Sequence, residues 1–188
     1  MRYAYFIRRL AIIMRHDIFS TPVWHIEGTP QQLIDDLYQG AYKFKEVYTD
    51  TPQRSNEGGY QSPALSWNDF HPQGRKYMNM VINECDNQVF ESFNIQGWWY
   101  NINGKGDWNI PHTHPNSDLA LVIYLTDTDN LLTFVNPHAQ RKKTSKQNST
   151  PQTKKGDILI FPSDLVHYAM PNPREEDRVS ISMNLQLS

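Results

Sequence analysis

Five short β-rich segments decide the fold class: VFESFNIQGWWYNIN (89–103), ALVIYLTD (120–127), LLTFV (131–135), DILIFP (157–162) and VSISMNLQL (179–187). Each is bounded by Gly, Pro, Asn or Asp, the residues that commonly end strands. Several strands at short spacing, with helices only upstream, are typical of a sandwich or jelly roll. We therefore predict a mainly β protein with N-terminal helices, built as an antiparallel jelly roll.

Two helices are predicted upstream of the strands. In TPQQLIDDLYQGAYKF (29–44), Thr29 is the predicted N-cap, Pro30 takes the first helical position and Gln32 completes a capping box. A second helix is predicted from about Gly74 to Asp86, and residues 50–76 before it are predicted to form a long ordered loop. The predicted buried faces are Leu33, Ile34, Leu37 and Tyr38 in the first helix and Tyr77, Val81 and Cys85 in the second.

Length and composition indicate one domain. We assign residues 18–188 to it, with 18–87 as helical support and 88–188 as the catalytic jelly-roll core. Residues 1–17 are an extension that is either untranslated, with Met14 as the start, or disordered. The segment 139–155 carries six basic residues and is predicted to be a solvated hairpin loop.

Charge and cysteine content limit the partners. The formal net charge of -2 favours a small molecule or a protein side chain over nucleic acid. No run is long enough to span a membrane. The single cysteine, Cys85, allows no intramolecular disulfide, which favours a cytoplasmic location.

Histidines supply the densest chemical signal. Residues 111–118 read PHTHPNSD, directly before a hydrophobic strand. Side chains two apart on an extended backbone point the same way, so His112 and His114 can approach one metal ion. His167 follows the buried strand ILIF and is the third candidate ligand.

Arg178 and Ser180 lie on one face of the last strand. A guanidinium and a hydroxyl at this spacing can together receive a planar carboxylate inside the barrel. The alternative is a salt bridge between Arg178 and one of its acidic neighbours Glu175, Glu176 or Asp177.

This arrangement resembles the iron(II) and 2-oxoglutarate-dependent oxygenases. Their pattern is a strand-borne HxD/E, a distal His and an Arg-x-Ser about ten residues later. The likeness is greatest to those oxygenases of bacterial and marine phage genomes in which HxHP replaces HxD. It lies in the segments SNEGGYQS, NGKGDWNIPHTHPNSDLALVIYL and GDILIFPSDLVHYAMP…DRVSISMN. The resemblance implies a double-stranded β-helix that binds Fe(II) and 2-oxoglutarate and hydroxylates a C–H bond, with release of succinate and carbon dioxide.

The carboxylate of the family's facial triad has no direct counterpart here, because His114 occupies its position. Either His112, His114 and His167 form the triad, or Asp118 folds back to supply the carboxylate while His114 supports it. The resemblance places the distal carboxylate of 2-oxoglutarate on Arg178 and Ser180. Further candidates to line that pocket are Tyr124, Asn101 and Asn103.

Two other functions fit the same residues. One is a three-His, cupin-like dioxygenase that works without 2-oxoglutarate, in which Arg178 would grip the substrate. The other is a non-enzymatic jelly-roll module that binds a metal, since zinc also suits these ligands. The motifs carry no information about the substrate.

Overall fold

The computed structural model of the chain describes residues 20–85, 92–129, 131–137 and 147–187. The predicted extension 1–17 and residues 139–146 of the basic loop lie outside this part. The helices and strands follow in this order: β1 (Trp24–Ile26), α1 (Gln31–Val47), β2 (Asn56–Glu57), β3 (Tyr60–Gln61), a 3₁₀ helix (Trp67–Asp69), α2 (Pro72–Cys85), β4 (Phe93–Asn103), β5 (Trp108–His112), β6 (Leu119–Tyr124), β7 (Leu132–Val135), β8 (Asn148–Ser149), β9 (Ile158–Pro162), β10 (His167–Ala169) and β11 (Arg178–Leu187).

The strands form two antiparallel sheets. The major sheet has six strands in the order β1-β9-β6-β11-β4-β3, and the minor sheet has five in the order β2-β5-β10-β7-β8. Sequence neighbours such as β5 and β6 lie in different sheets, as expected of a jelly roll. The predicted fold class is confirmed.

The two faces of β11 explain how the layers are arranged. Val179, Ile181, Met183 and Leu185 are fully buried in the core that the major sheet shares with the two helices. Each such side chain contributes roughly 1.5–3 kcal/mol on burial. The alternate residues of the strand are polar and line a cavity on the opposite face. A period of two therefore separates the structural face of β11 from its cavity face.

Helix α1 packs on the major sheet, but its predicted capping box is wrong. The helix begins at Gln31 with Pro30 as N-cap, and no side chain caps it. Gln32 donates forward to Asp36 (2.9 Å) instead of reaching back. The Thr29 hydroxyl is buried and has no hydrogen-bond partner among the described residues. The buried face comprises Leu33, Ile34, Leu37 and Ala41, whereas Tyr38 is half-buried.

Helix α2 begins at Pro72, two residues before the predicted start. Its buried residues are Gly74, Met78, Val81 and Ile82, so the predicted face is correct at Val81 but wrong at Tyr77 and Cys85, which are half-buried. A Cβ on Gly74 would lie 2.6 Å from the Phe70 ring, which explains a glycine here. Within the described residues, neither helix is long and apolar enough to cross a membrane.

The predicted loop 50–76 contains two short strands, β2 and β3, and the turn between them connects the two sheets. Strand β2 pairs with β5 in the minor sheet, and β3 pairs with β4 in the major sheet. The turn between them uses Gly58 and Gly59, which have φ values of 68° and 65°. A Cβ on Gly59 would lie 2.9 Å from the carbonyl oxygen of Ile102. This connecting turn therefore packs tightly against β4.

Candidate functional site

The three predicted histidines meet in one cluster. His112 ends β5, and His167, which begins β10, is its partner across the antiparallel pair. His114 follows two residues after His112. One ring nitrogen from each of the three lies within 4.8 Å of the others. His114 and His167 are buried, at 8% and 3% exposure, and His112 is half-buried.

Hydrogen bonds at Nδ1 orient all three imidazoles. His112 Nδ1–H donates to the carbonyl of Ile110 (2.7 Å), and His167 Nδ1–H donates to that of Leu165 (2.8 Å). His114 Nδ1–H donates to the side-chain oxygen of Asn184 (2.6 Å). Because these acceptors fix the proton on Nδ1, the Nε2 lone pair of each ring stays free to bind a metal ion.

Burial keeps the cluster neutral. It lowers the pKa of His112 and of His114, and it lowers the pKa of His167 to about 3. For His167 the proximity of His112 adds to the effect of burial. Neutral imidazoles with converging lone pairs are the form that binds a transition metal.

Asp118, the alternative third ligand, lies outside this cluster. It is exposed, and its carboxylate accepts from the backbone N–H of Leu187 (2.8 Å) and from the Gln186 side chain. These bonds hold Asp118 against the end of β11. The geometry therefore favours the three histidines as the ligand set.

The imidazoles open into a cavity of about 420 Å³ that both sheets line. Leu121, Leu132 and Phe161 form apolar wall, and the Phe161 ring lies edge-on to His167 at 4.7 Å between centroids. The polar residues of β11 form the opposing wall. A largely apolar pocket with a few converging polar groups is the usual form of a small-molecule site.

Arg178 is buried in this wall at 7% exposure. Its Nη1 donates to the carbonyl of Met170 (2.7 Å), whereas Nη2 is buried and has no hydrogen-bond partner among the described residues. Burial lowers the pKa of Arg178 to about 10, which leaves it charged at neutral pH. Among the described residues, Arg178 forms no salt bridge with Glu175, Glu176 or Asp177. Glu175 pairs with Lys105, and Asp177 accepts from the Tyr42 hydroxyl (2.8 Å).

Ser180 and Tyr124 line the same cavity and are paired across β11 and β6. Burial raises the pKa of the Tyr124 hydroxyl, so it stays protonated. That hydroxyl forms no hydrogen bond of normal geometry among the described residues. The Thr153 side chain lies near it and lowers its pKa, against the larger effect of burial. An uncharged donor thus lies beside Arg178.

The two predicted asparagines differ in position. Asn101 lines the cavity and donates to the Ser182 hydroxyl (3.0 Å). Asn103 is buried opposite Arg178 in the strand register, but it is not among the residues that line the cavity.

Sequence reasoning missed several lining residues. Asn184 and Ser182 continue the period of two that begins at Arg178 and Ser180, so this alternation could have identified them. Arg54, just before β2, also lines the cavity. No sequence signal links it to the histidines, because the pairing of β2 with β5 brings it there.

Comparisons with known proteins agree with this geometry. Residues 97–184 match the family described as "Putative 2OG-Fe(II) oxygenase", a segment that contains the three histidines, Arg178 and Ser180. The comparison with curated protein sequences gives no match. The predicted relationship to the iron(II) and 2-oxoglutarate-dependent oxygenases is confirmed, and the family match indicates a 2-oxoglutarate-dependent non-haem iron oxygenase.

Several solved structures share the fold. A prolyl-4-hydroxylase from Pseudomonas putida is 12% identical, with a TM-score of 0.65, over 90% of this chain and 94% of that one. HygX from Streptomyces hygroscopicus, solved with nickel and 2-oxoglutarate, is 12% identical, with a TM-score of 0.65, over 89% and 84%. The viral collagen prolyl hydroxylase from Paramecium Bursaria Chlorella virus-1 is 13% identical, with a TM-score of 0.62, over 88% and 96%.

Proposed function

We propose that this protein is an Fe(II)- and 2-oxoglutarate-dependent dioxygenase that hydroxylates a C–H bond, with His112, His114 and His167 as its metal ligands. One observation carries the proposal. The cavity that contains the three converging imidazoles also contains a buried guanidinium nitrogen, Nη2 of Arg178, without a partner among the described residues. A metal at one place and a carboxylate at the other would satisfy both.

The residues present fit the metal. Nitrogen donors of this kind suit Fe, Zn, Cu and Ni, and three of them leave coordination positions open. Their Nδ1 atoms are already hydrogen-bonded, which supplies the outer support that metal-bound histidines usually have. Asp118 is held away from the cluster by β11, so this proposal contains no carboxylate ligand.

The residues present also fit the co-substrate. An unpaired buried polar group costs about 1–3 kcal/mol, and more when it is charged, so Arg178 Nη2 is a strong binding point for an anion. The distal carboxylate of 2-oxoglutarate would accept from Arg178 and Ser180, and the protonated Tyr124 hydroxyl is a third donor in reach of the same cavity. Asn101 would line the pocket beside them.

The chain positions the reactants and excludes water from the cavity. When bound, iron and 2-oxoglutarate supply the oxidising chemistry, in which 2-oxoglutarate is converted to succinate and carbon dioxide. Arg178 holds the co-substrate, and the histidines orient the metal. The apolar wall of Leu121, Leu132 and Phe161 excludes water from the cavity. The substrate in this proposal is a small molecule or a protein side chain, and the single cysteine supports a cytoplasmic location.

The test is an anaerobic titration of the iron-loaded protein with 2-oxoglutarate, followed by the visible charge-transfer band of the chelate. Arg178→Gln should weaken 2-oxoglutarate binding by about 2–5 kcal/mol, because a buried charge pair loses one member. Arg174→Gln is the matched control, since Arg174 forms an exposed ion pair with Asp129.

A band that never forms on iron-loaded protein, or an affinity unchanged in Arg178→Gln, contradicts the proposal. Metal-dependent oxygen uptake without 2-oxoglutarate would instead favour the three-His dioxygenase. Metal binding with neither activity would favour the non-enzymatic module.

A further inference from the structure

The lining of the cavity is positively charged. It contains two guanidinium groups, those of Arg54 and Arg178. Of the described residues that line it, none is Asp or Glu. The cavity is therefore suited to anions.

If the proposed function holds, the metal and the cavity together carry more positive charge than 2-oxoglutarate neutralises. A divalent iron and Arg178 together bring three positive charges, and 2-oxoglutarate brings two negative charges. One positive charge remains, which the carboxylate of the usual facial triad would have cancelled. Arg54 adds a second. Burial lowers the pKa of Arg178 and the charge of Asp107 acts against it, but Asp107 lies outside the lining and accepts from the backbone N–H of Gly104 (2.8 Å).

The position of Arg54 allows it to bind an anion that balances this excess positive charge. It precedes β2, and the carbonyl of the next residue, Ser55, accepts from the backbone N–H of Ile110 (2.8 Å), two residues before His112. Its side chain is exposed at the rim of the cavity and has no carboxylate partner among the described residues. Asn109, which donates to the Ser55 hydroxyl (3.3 Å), adds a polar side chain to the same rim.

We propose that the primary substrate is a small anionic molecule whose carboxylate or phosphate group pairs with Arg54 at the rim of the cavity. The guanidinium fork matches either group with two parallel hydrogen bonds. A cavity of about 420 Å³ has room for both 2-oxoglutarate and a molecule of metabolite size. The anion is held at the rim, and the rest of the substrate reaches inward toward the histidines.

The experiment uses the anaerobic iron-loaded protein saturated with 2-oxoglutarate, so that Arg178 is occupied. Two matched pairs of probes are titrated by calorimetry: benzoate against benzamide, and glycerol 3-phosphate against glycerol. At least one anion should bind about fivefold more tightly than its neutral partner, a size set by the exposure of Arg54. The preferred pair identifies the carboxylate or the phosphate as the recognised group, and the preference should weaken as salt is added.

Substitutions test whether Arg54 causes the preference for the anionic probe. Arg54→Gln should reduce it by about fivefold, whereas Arg54→Lys should retain part of it, because the charge remains without the fork. Lys76→Gln removes an exposed charge of α2 outside the cavity and should leave it unchanged.

No preference in either pair, or an equal preference in Arg54→Gln, overturns the inference. So does loss of the visible band when a probe is added, because the probe then displaces 2-oxoglutarate. The proposed function is read separately from the same sample. If the band forms before any probe is added, the oxygenase stands and only the anionic substrate is in question; if it does not form, both fall.

Discussion

Asn184 offers a test of the metal site that leaves every proposed ligand in place. Two of the histidines donate their Nδ1–H to backbone carbonyls, which substitution cannot remove. His114 alone depends on a side chain, the Asn184 amide oxygen at 2.6 Å. Asn184→Leu keeps a similar volume but removes this acceptor, so the tautomer and orientation of His114 are no longer fixed.

The expected loss follows from the role of such outer partners. Their removal typically lowers metal affinity 10- to 100-fold, which is about 1.4–2.7 kcal/mol. The buried Nδ1–H of His114 is also left without an acceptor in the variant. Asn184→Asp retains an acceptor oxygen and adds a negative charge beside a neutral ligand set, so it should bind metal at least as tightly as the native protein.

Competition with a coloured chelator under anaerobic conditions measures the affinity for Fe(II). The visible spectrum of the Co(II) form reports whether the ligand geometry has changed. Asn94→Leu is the matched control, because Asn94 is exposed on β4 outside the cavity. If Asn184→Leu binds Fe(II) within about twofold of the native affinity, our account of His114 is wrong.

Other substitutions test the ligand set and the turn that connects β2 to β3. His167→Ala should abolish stoichiometric iron binding, while Asp118→Asn should leave it intact. Metal analysis of the two purified proteins measures this difference. If His167→Ala retains iron, His167 is not a ligand. Gly59→Ala should lower the free energy of unfolding by roughly 1–3 kcal/mol, because φ is positive and the new Cβ meets the Ile102 carbonyl. Gly106→Ala, also at positive φ but with nothing within 4 Å, should cost less in the same urea titration; equal losses would exclude the clash as the cause.

The long strands could be predicted from sequence, whereas the short ones could not. Segments such as 157–162 and 179–187 carry apolar residues in runs or alternation that identify a strand by themselves. Strands β2, β3 and β8 have two residues each, too few for any period, and they form because β5, β4 and β7 offer them partners. The predicted capping box is absent because Gln32 donates to Asp36 instead, a contact that the capping pattern does not predict.

The candidate site shows the same division. The spacing of His112 and His114 on an extended backbone predicted their common direction, and Arg178 and Ser180 share a face for the same reason. Arg54 lies far from these residues in sequence and reaches the cavity because the neighbouring strand β2 pairs with β5. Its place depends on tertiary packing, which no local pattern encodes.

The position of β11 has a consequence for how the protein is made. This strand lies between β4 and β6 and pairs with both along most of its length. While the ribosome is still short of residues 178–187, the inner edges of β4 and β6 have no neighbour, and exposed strand edges of this kind attract other chains. We expect nascent chains to need chaperone protection until β11 emerges, and the last step of folding to complete the hydrophobic core and the cavity wall together.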